Sequence, residues 1–283
     1  MSLEVGLQLY SVRNALQRDP VGTLETIAAI GYKHLQVNLP AQSGAGTEPV
    51  AGTMSPGELK RRADGLGMDV PSVHAQVDER TDWDRLVAST QELGSSAIAV
   101  PIAFYTDRAS VLEYARALDR YGERCRRQGL RFYYHNHFHE FQVVEGQTVM
   151  DLLLEHTDGD LVSFELDTYW AARGGADPAE WLLKLGARCD LTHQKDLPVT
   201  ARPVSWFDVF GREARITLRE LIQTQRPEQF AEIGEGTMDV AALLQTMRQI
   251  GVEYVFVEQD MSARDELESV RVSYQNMAGL LRQ

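Results

Sequence analysis

Leu130-Arg131-Phe132-Tyr133-Tyr134-His135-Asn136-His137-Phe138-His139-Glu140-Phe141 is a short aromatic and apolar run that ends in three histidines and a glutamate. The turn signal Gln128-Gly129 precedes it, and the run has the composition of a β-strand. The polar cluster therefore falls at the C-terminal end of a strand. Alternate residues of a strand share a face, so His135 and His137 point one way and Asn136 the other. Two imidazoles on one face suit a metal, an oxyanion or a sugar hydroxyl. Taken alone, the run reads as well as polar residues leaving a strand, and its meaning depends on partners elsewhere.

The same unit, a helical pattern, a glycine, a short loop and an apolar run, recurs along the chain. Strands are predicted over 5–10, 34–39, 69–74, 97–102, 130–137, 162–169, 190–195 and 254–259. Helices are predicted over 21–30, 56–66, 82–93, 110–128, 148–156, 178–185, 240–250 and 263–281. Ile30-Gly31, Leu66-Gly67, Leu93-Gly94 and Ile250-Gly251 supply helix stops, and Asp177-Pro178 supplies an N-cap followed by proline at the first helical position. Strands alternating with helices imply a parallel sheet covered by helices. Eight such units favour a closed (β/α)8 TIM barrel over an open doubly wound sheet, and no GxGxxG or GxxxxGK loop calls for a nucleotide-binding sheet. The chain is thus expected to form a single barrel domain over 1–283. Residues 197–238, after the seventh strand, are too long for an ordinary loop and read as an active-site insertion or an oligomer contact, with helix within 216–225.

The 283 residues have 43% hydrophobic and 24% charged content, as in ordinary globular proteins. The formal charge of −13 works against a polyanionic partner, because nucleic-acid affinity comes largely from cations that neutralise phosphates. The stretch from Arg116 to Arg131 reads as a solvated helix face. Cys125 and Cys189 lack any zinc or CxxC spacing and are expected to be buried and reduced. The opening residues carry no leader pattern and no run of about 18 apolar residues occurs, so a cytoplasmic protein without a membrane partner is expected.

In such barrels chemistry collects at the C-terminal strand ends. Here these carry Gln8-Leu9-Tyr10 with Arg13 nearby, Gln36-Val37-Asn38, His74, Pro101, the His135, His137 and Glu140 group, Glu165-Leu166-Asp167, His193-Gln194-Lys195-Asp196 and Glu258-Gln259-Asp260. Carboxylates that follow buried apolar strands are costly to desolvate unless paired or bound to a cation. Glu, Asp, His and Glu from four consecutive strands form a suitable shell for one divalent metal ion, Mn²⁺, Mg²⁺, Co²⁺ or Zn²⁺. Lys195 reads equally well as an ion-pair partner of Asp196 or a neighbouring carboxylate.

With these residues the chain resembles the sugar phosphate isomerase/epimerase superfamily, the xylose isomerase-like TIM barrels that also include type IV apurinic endonucleases. The resemblance spans nearly the whole chain. It rests on Gln8-Leu9-Tyr10-Ser11-Val12-Arg13, Tyr134-His135-Asn136-His137 with Glu140-Phe141, Asp167-Thr168-Tyr169-Trp170 followed by Gly174 and Asp177-Pro178, His193-Gln194-Lys195-Asp196, Gly234-Glu235-Gly236 with Asp239, and Glu258-Gln259-Asp260. It implies a metal held by Glu140, Asp167, His193 and Glu258. Many relatives carry their strand-five glutamate where this chain has His135, so His135 is the alternative ligand, with Glu140 then acting behind it or as a base. Many relatives also place a glutamate on strand two, where this chain has Gln36-Val37-Asn38.

The chemistry the resemblance implies is isomerisation or epimerisation of a ketose or related keto-sugar through an enediolate, Glu140 and Glu258 removing and returning the proton. His74, His135, His137 and Lys195 would then hydrogen-bond hydroxyls or the developing oxyanion, and Trp170 with Phe138 would wall the sugar face. The Tyr-His-Asn-His form of strand five also resembles relatives that act as lyases on keto-inositols or 3-keto-glycosides, where β-elimination follows enolate formation. A DNA-repair role is disfavoured by the acidic balance. The expected partner is a small-molecule carbohydrate. A free or oxidised sugar is favoured over a phosphosugar, since the late loops lack a glycine-rich phosphate cradle. The long insertion suits a dimer or tetramer.

Overall fold

Each apolar run of the sequence forms a strand, and the eight strands, all parallel, close on themselves. The computed structural model describes residues 3–40 and 54–282. The barrel strands are β1 (Glu4–Gln8), β2 (His34–Asn38), β3 (Asp69–His74), β4 (Ala97–Val100), β5 (Arg131–His135), β6 (Ser163–Asp167), β7 (Leu191–Gln194) and β8 (Tyr254–Val257). Closure comes from β1 beside β8, with Leu7 opposite Val257. Asp167 lies opposite His193 and His193 opposite Phe256, so the last three strands bring their polar ends level.

Helices follow the strands and pack outside. Asp177 accepts hydrogen bonds from the Ala179 and Glu180 amides at the start of Pro178–Leu185, and Gly251, at φ +89°, closes Val240–Ile250 in the left-handed region that favours glycine. The main apolar core lies between strands and helices, where Leu7, Leu35, Val73, Ile98, Phe132, Phe164, Leu166 and Val255 are fully or almost fully buried. A second, small cluster of Ala97, Ala99, Tyr133, Leu191 and Phe256 sits on the inward-facing parity of the strands. Gly6 makes room for it, because a Cβ there would lie 2.4 Å from the Phe256 ring. One step further toward the C-terminal ends the inward-facing residues are Gln8, Gln36, Ser72, Glu165 and His193, all buried. Barrel interiors are dominated by branched apolar side chains, and this one turns polar below its mouth.

Several predicted boundaries move for local reasons. The sixth strand stops at Asp167 rather than at 169, because the Asp167 carboxylate accepts the Trp170 amide at 2.8 Å and starts the helix Thr168–Arg173. The fifth stops at His135, since Asn136 leaves the ladder to bond the Asp167 amide with its Oδ1, at 3.0 Å. The first stops at Gln8, whose side chain accepts from the Tyr10 amide and begins a 3₁₀ turn. A two-stranded hairpin pairs Val143–Val144 with Gln147–Thr148, and its turn residues Glu145 and Gly146 both have positive φ. The sequence reading missed this hairpin. Residues 197–238 hold the short helices Phe207–Phe210 and Leu218–Thr224 and precede the barrel helix Val240–Ile250. Cys125 and Cys189 are free and buried. Among the described residues no helix is long and apolar enough to cross a membrane.

Candidate metal centre

Four side chains from four neighbouring strands meet at the barrel mouth. His135 ends β5, Asp167 ends β6, His193 lies in β7, and Glu258 follows β8; one ligand atom of each lies within 4.8 Å of the others, and all four residues are buried. The His135 Nδ1 lies 3.1 Å from the Pro101 carbonyl oxygen, which can only accept, so the proton sits on Nδ1. Its Nε2 is buried without a hydrogen-bond partner, 3.6 Å from Asp167 Oδ2. Asp167 spends Oδ1 on the Trp170 amide and turns Oδ2 toward the cluster, where it also accepts from Lys195. His193 Nδ1 lies 2.9 Å from Glu258 Oε2. An unpartnered imidazole nitrogen aimed at two carboxylates and a second imidazole fits a divalent cation, and the two nitrogen donors suit Zn²⁺ or another transition metal better than Mg²⁺.

Beneath the cluster runs a second layer. Gln36 donates to Glu165 Oε1 at 2.5 Å and to Ser72 Oγ at 3.1 Å, accepts from Gln8 at 2.7 Å, and accepts from His193 Nε2 at 2.6 Å. His74 Nε2 lies 2.5 Å from Glu165 Oε2. His74, Glu165 and His193 thus form another group of buried ligand atoms, sharing His193 with the first. Burial would raise the Glu165 carboxyl, but the adjacent His193 and His74 hold it well below the usual carboxylate range. Burial lowers His74, and Glu165 only partly offsets this. Burial would likewise lower His193, but Glu165 and Glu258 more than compensate and raise it to about 10. Both nitrogens of His193 face acceptors, which agrees with that direction, and a cation bound at Nδ1 would displace the proton shared with Glu258. Glu165 and Gln36 were not chosen as site residues from the sequence. The readable signal for Glu165 was parity, since it stands two before Asp167 and so shares its face.

The other expected residues divide. His74, His135, His137 and Glu258 line a cavity of about 250 Å³ above the cluster, together with Tyr10, Asn38, Gln76 and Asp260. Lys195 does not reach its wall. It is fully buried, donating to Asp167 Oδ2 and Glu258 Oε2, with Asp260 Oδ2 at 3.6 Å. Trp170 is also fully buried, packed against His137 and Phe138 with ring centroids 5.4 and 6.0 Å away. Glu140, expected as the fourth ligand, is not among the clustered atoms. Its Oε1 accepts from the Tyr134 hydroxyl at 2.6 Å and its Oε2 from the His137 amide at 2.8 Å, which turns it behind the strand end. The position it was expected to fill in the cluster is taken by His135.

Asp260 Oδ2 is buried and accepts no hydrogen bond at the cavity, its nearest cation being the Lys195 ammonium at 3.6 Å. Burial, with Glu258 and Asp167 nearby, raises its carboxyl to about 7 against the opposing pull of Lys195 and Arg13.

The pattern of the xylose isomerase-like TIM barrel family matches residues 24–276. The fold superposes on a sugar phosphate isomerase/epimerase from Parabacteroides distasonis ATCC 8503 with a TM-score of 0.77 at 23% identity, covering 99% of this chain and 96% of that one. It superposes on an IolI protein with a bound zinc atom with a TM-score of 0.71 at 13% identity, covering 99% and 98%. A stretch of 73 residues is 40% identical to an inosose dehydratase of Geobacillus kaustophilus (strain HTA426), which is 26% of this chain and 23% of that protein.

Proposed function

Since the chain belongs to the xylose isomerase-like TIM barrel family, we propose that it is a metal-dependent enzyme that moves a carbon-bound proton beside the carbonyl of a ketose or related keto-sugar, isomerising or epimerising it. The observation that carries this reading is the convergence of His135, Asp167, His193 and Glu258 directly under a cavity whose wall includes Glu258. A divalent cation held there would polarise a substrate carbonyl and so acidify the adjacent C–H. The protein supplies the base. Glu258, which borders the cavity, is the candidate base; burial would raise its carboxyl, but Lys195 and His193 hold it well below the usual carboxylate range and keep it ionised. His74, His137 and Asp260 border the same space and are placed to hydrogen-bond hydroxyls.

A second reading, β-elimination from a keto-inositol or 3-keto-glycoside, is favoured by one feature. The β5 side of the cavity presents His135 and His137, and not a second carboxylate. One carboxylate base facing imidazoles suits proton removal followed by protonation of a departing oxygen. The likeness to an inosose dehydratase points the same way.

The test is incubation of metal-loaded enzyme with ketoses, keto-inositols and 3-keto-glycosides in D₂O, read by mass spectrometry and NMR. Isomerisation or epimerisation leaves the mass unchanged apart from deuterium gained next to the carbonyl; elimination loses water or the aglycone. Glu258→Gln is expected to slow either by roughly 100-fold or more. Absence of both deuterium uptake and elimination product from every compound would overturn the reading.

A further inference from the structure

The cavity over the candidate metal centre is two-sided. Its polar side is made by strand ends, with His74, His135, His137, Glu258 and Asp260. Its other side is apolar: Leu39 after β2, Pro101 and Ile102 after β4, and Leu218, Leu221 and Ile222 from the helix Leu218–Thr224. Leu218, Leu221, Ile222 and the following Gln225 are spaced i, i+3, i+4, i+7, so the helix turns one whole face over the opening. Such a stripe ordinarily packs on a core. Here Leu218 and Ile222 stay 54% and 60% exposed while lining the cavity. No lysine or arginine side chain is among the described residues that line it, and two carboxylates are.

Building on the keto-sugar reading above, we propose that the natural substrate is a keto-sugar ring carrying an apolar substituent, aryl or alkyl, rather than a free or phosphorylated sugar. The ring sits on the polar side, and the substituent lies against Leu218, Ile222, Pro101 and Ile102. Desolvating these side chains against an apolar group is favourable, whereas sugar hydroxyls there would lose water without gaining partners. A phosphate on the apolar side would lie among Leu218, Ile222, Pro101 and Ile102 with no lysine or arginine among the described lining residues to pair with it. The apolar stripe is continuous with the reacting end of the cavity, which makes its occupant part of the same molecule.

The test compares phenyl and methyl 3-keto-β-D-glucopyranoside, and the 6-phosphate of the methyl compound, on the metal-loaded enzyme. The phenyl compound is expected to have a KM lower than the methyl compound by about tenfold or more, and Ile222→Ser to shrink that preference to about threefold or less. Phenyl and methyl compounds of equal KM, a preference untouched by Ile222→Ser, or a preference for the phosphate would overturn the proposal. Saturation-transfer NMR with phenyl β-D-glucopyranoside reads the pocket without turnover. If no keto-glycoside reacts but the phenyl protons are saturated by wild type and not by Ile222→Ser, the proposed reaction fails and the substrate class stands. Absence of saturation at the phenyl group overturns the substrate class whatever the turnover.

Discussion

His135 ends β5 and faces the cluster, while Glu140, in the 3₁₀ turn that follows, is held away from it, and their substitutions should separate. His135→Ala removes the Nε2 from the cluster and is expected to strip most of the bound metal while leaving the fold intact. Glu140→Gln is expected to keep the metal and to lower stability by about 1–3 kcal/mol, because the Tyr134 hydroxyl and the His137 amide lose a charged acceptor. Metal content by mass spectrometry and thermal melts of both variants check this. The thiols give an independent prediction. Burial pushes both Cys125 and Cys189 up to about 12, so at pH 8, far below that value, both stay protonated. Neither should react with iodoacetamide in the native protein, and both should react after denaturation. From sequence, the histidine cluster and its face were legible through strand parity. The direction of Glu140 was not, since it depends on the Tyr134 hydroxyl and the His137 amide holding its carboxylate.

Among the elements, the segment after β7 depends on Asp196. Its carboxylate accepts from the amides of Leu197, Gly234, Gly236 and Met238 at 2.8–3.1 Å, and a Cβ on Gly236 would lie 2.1 Å from it. Asp196→Ala leaves four amides without their acceptor and is expected to cost on the order of 3 kcal/mol, with faster amide exchange across 231–238 than elsewhere. Uniform protection across the protein would contradict that role. The sequence marked the Gly234-Glu235-Gly236 motif and the length of the segment. It did not mark the tether, because these amides approach Asp196 from some 40 positions away, a contact no local pattern encodes. The helix Thr168–Arg173 was hidden for another reason. Asp167 both caps that helix and faces the cluster, and the aromatic run after it mimics a strand.

The whole molecule was the most legible level. Eight repeats of one unit, with glycine stops and an N-cap before proline, specify the barrel, and the barrel forms. Less legible was its filling. The partners Gln8, Gln36, Ser72, Glu165 and His193 come from β1, β2, β3, β6 and β7, and they meet only when the sheet closes. Closure also makes Gly6→Ala costly, since the new methyl would press on Phe256 inside the ring of strands. A loss of about 1–3 kcal/mol is expected in chemical denaturation, and an unchanged midpoint would contradict the packing. The central claim is that closure assembles a metal site from His135, Asp167, His193 and Glu258. Its most direct test is bound metal per chain, by inductively coupled plasma mass spectrometry, after equilibration with Zn²⁺ or Mn²⁺ and removal of free ion. About one equivalent in wild type, lost in folded Asp167→Asn and His135→Ala, is the predicted result. Wild type without metal, or both variants with a full equivalent, would contradict the account.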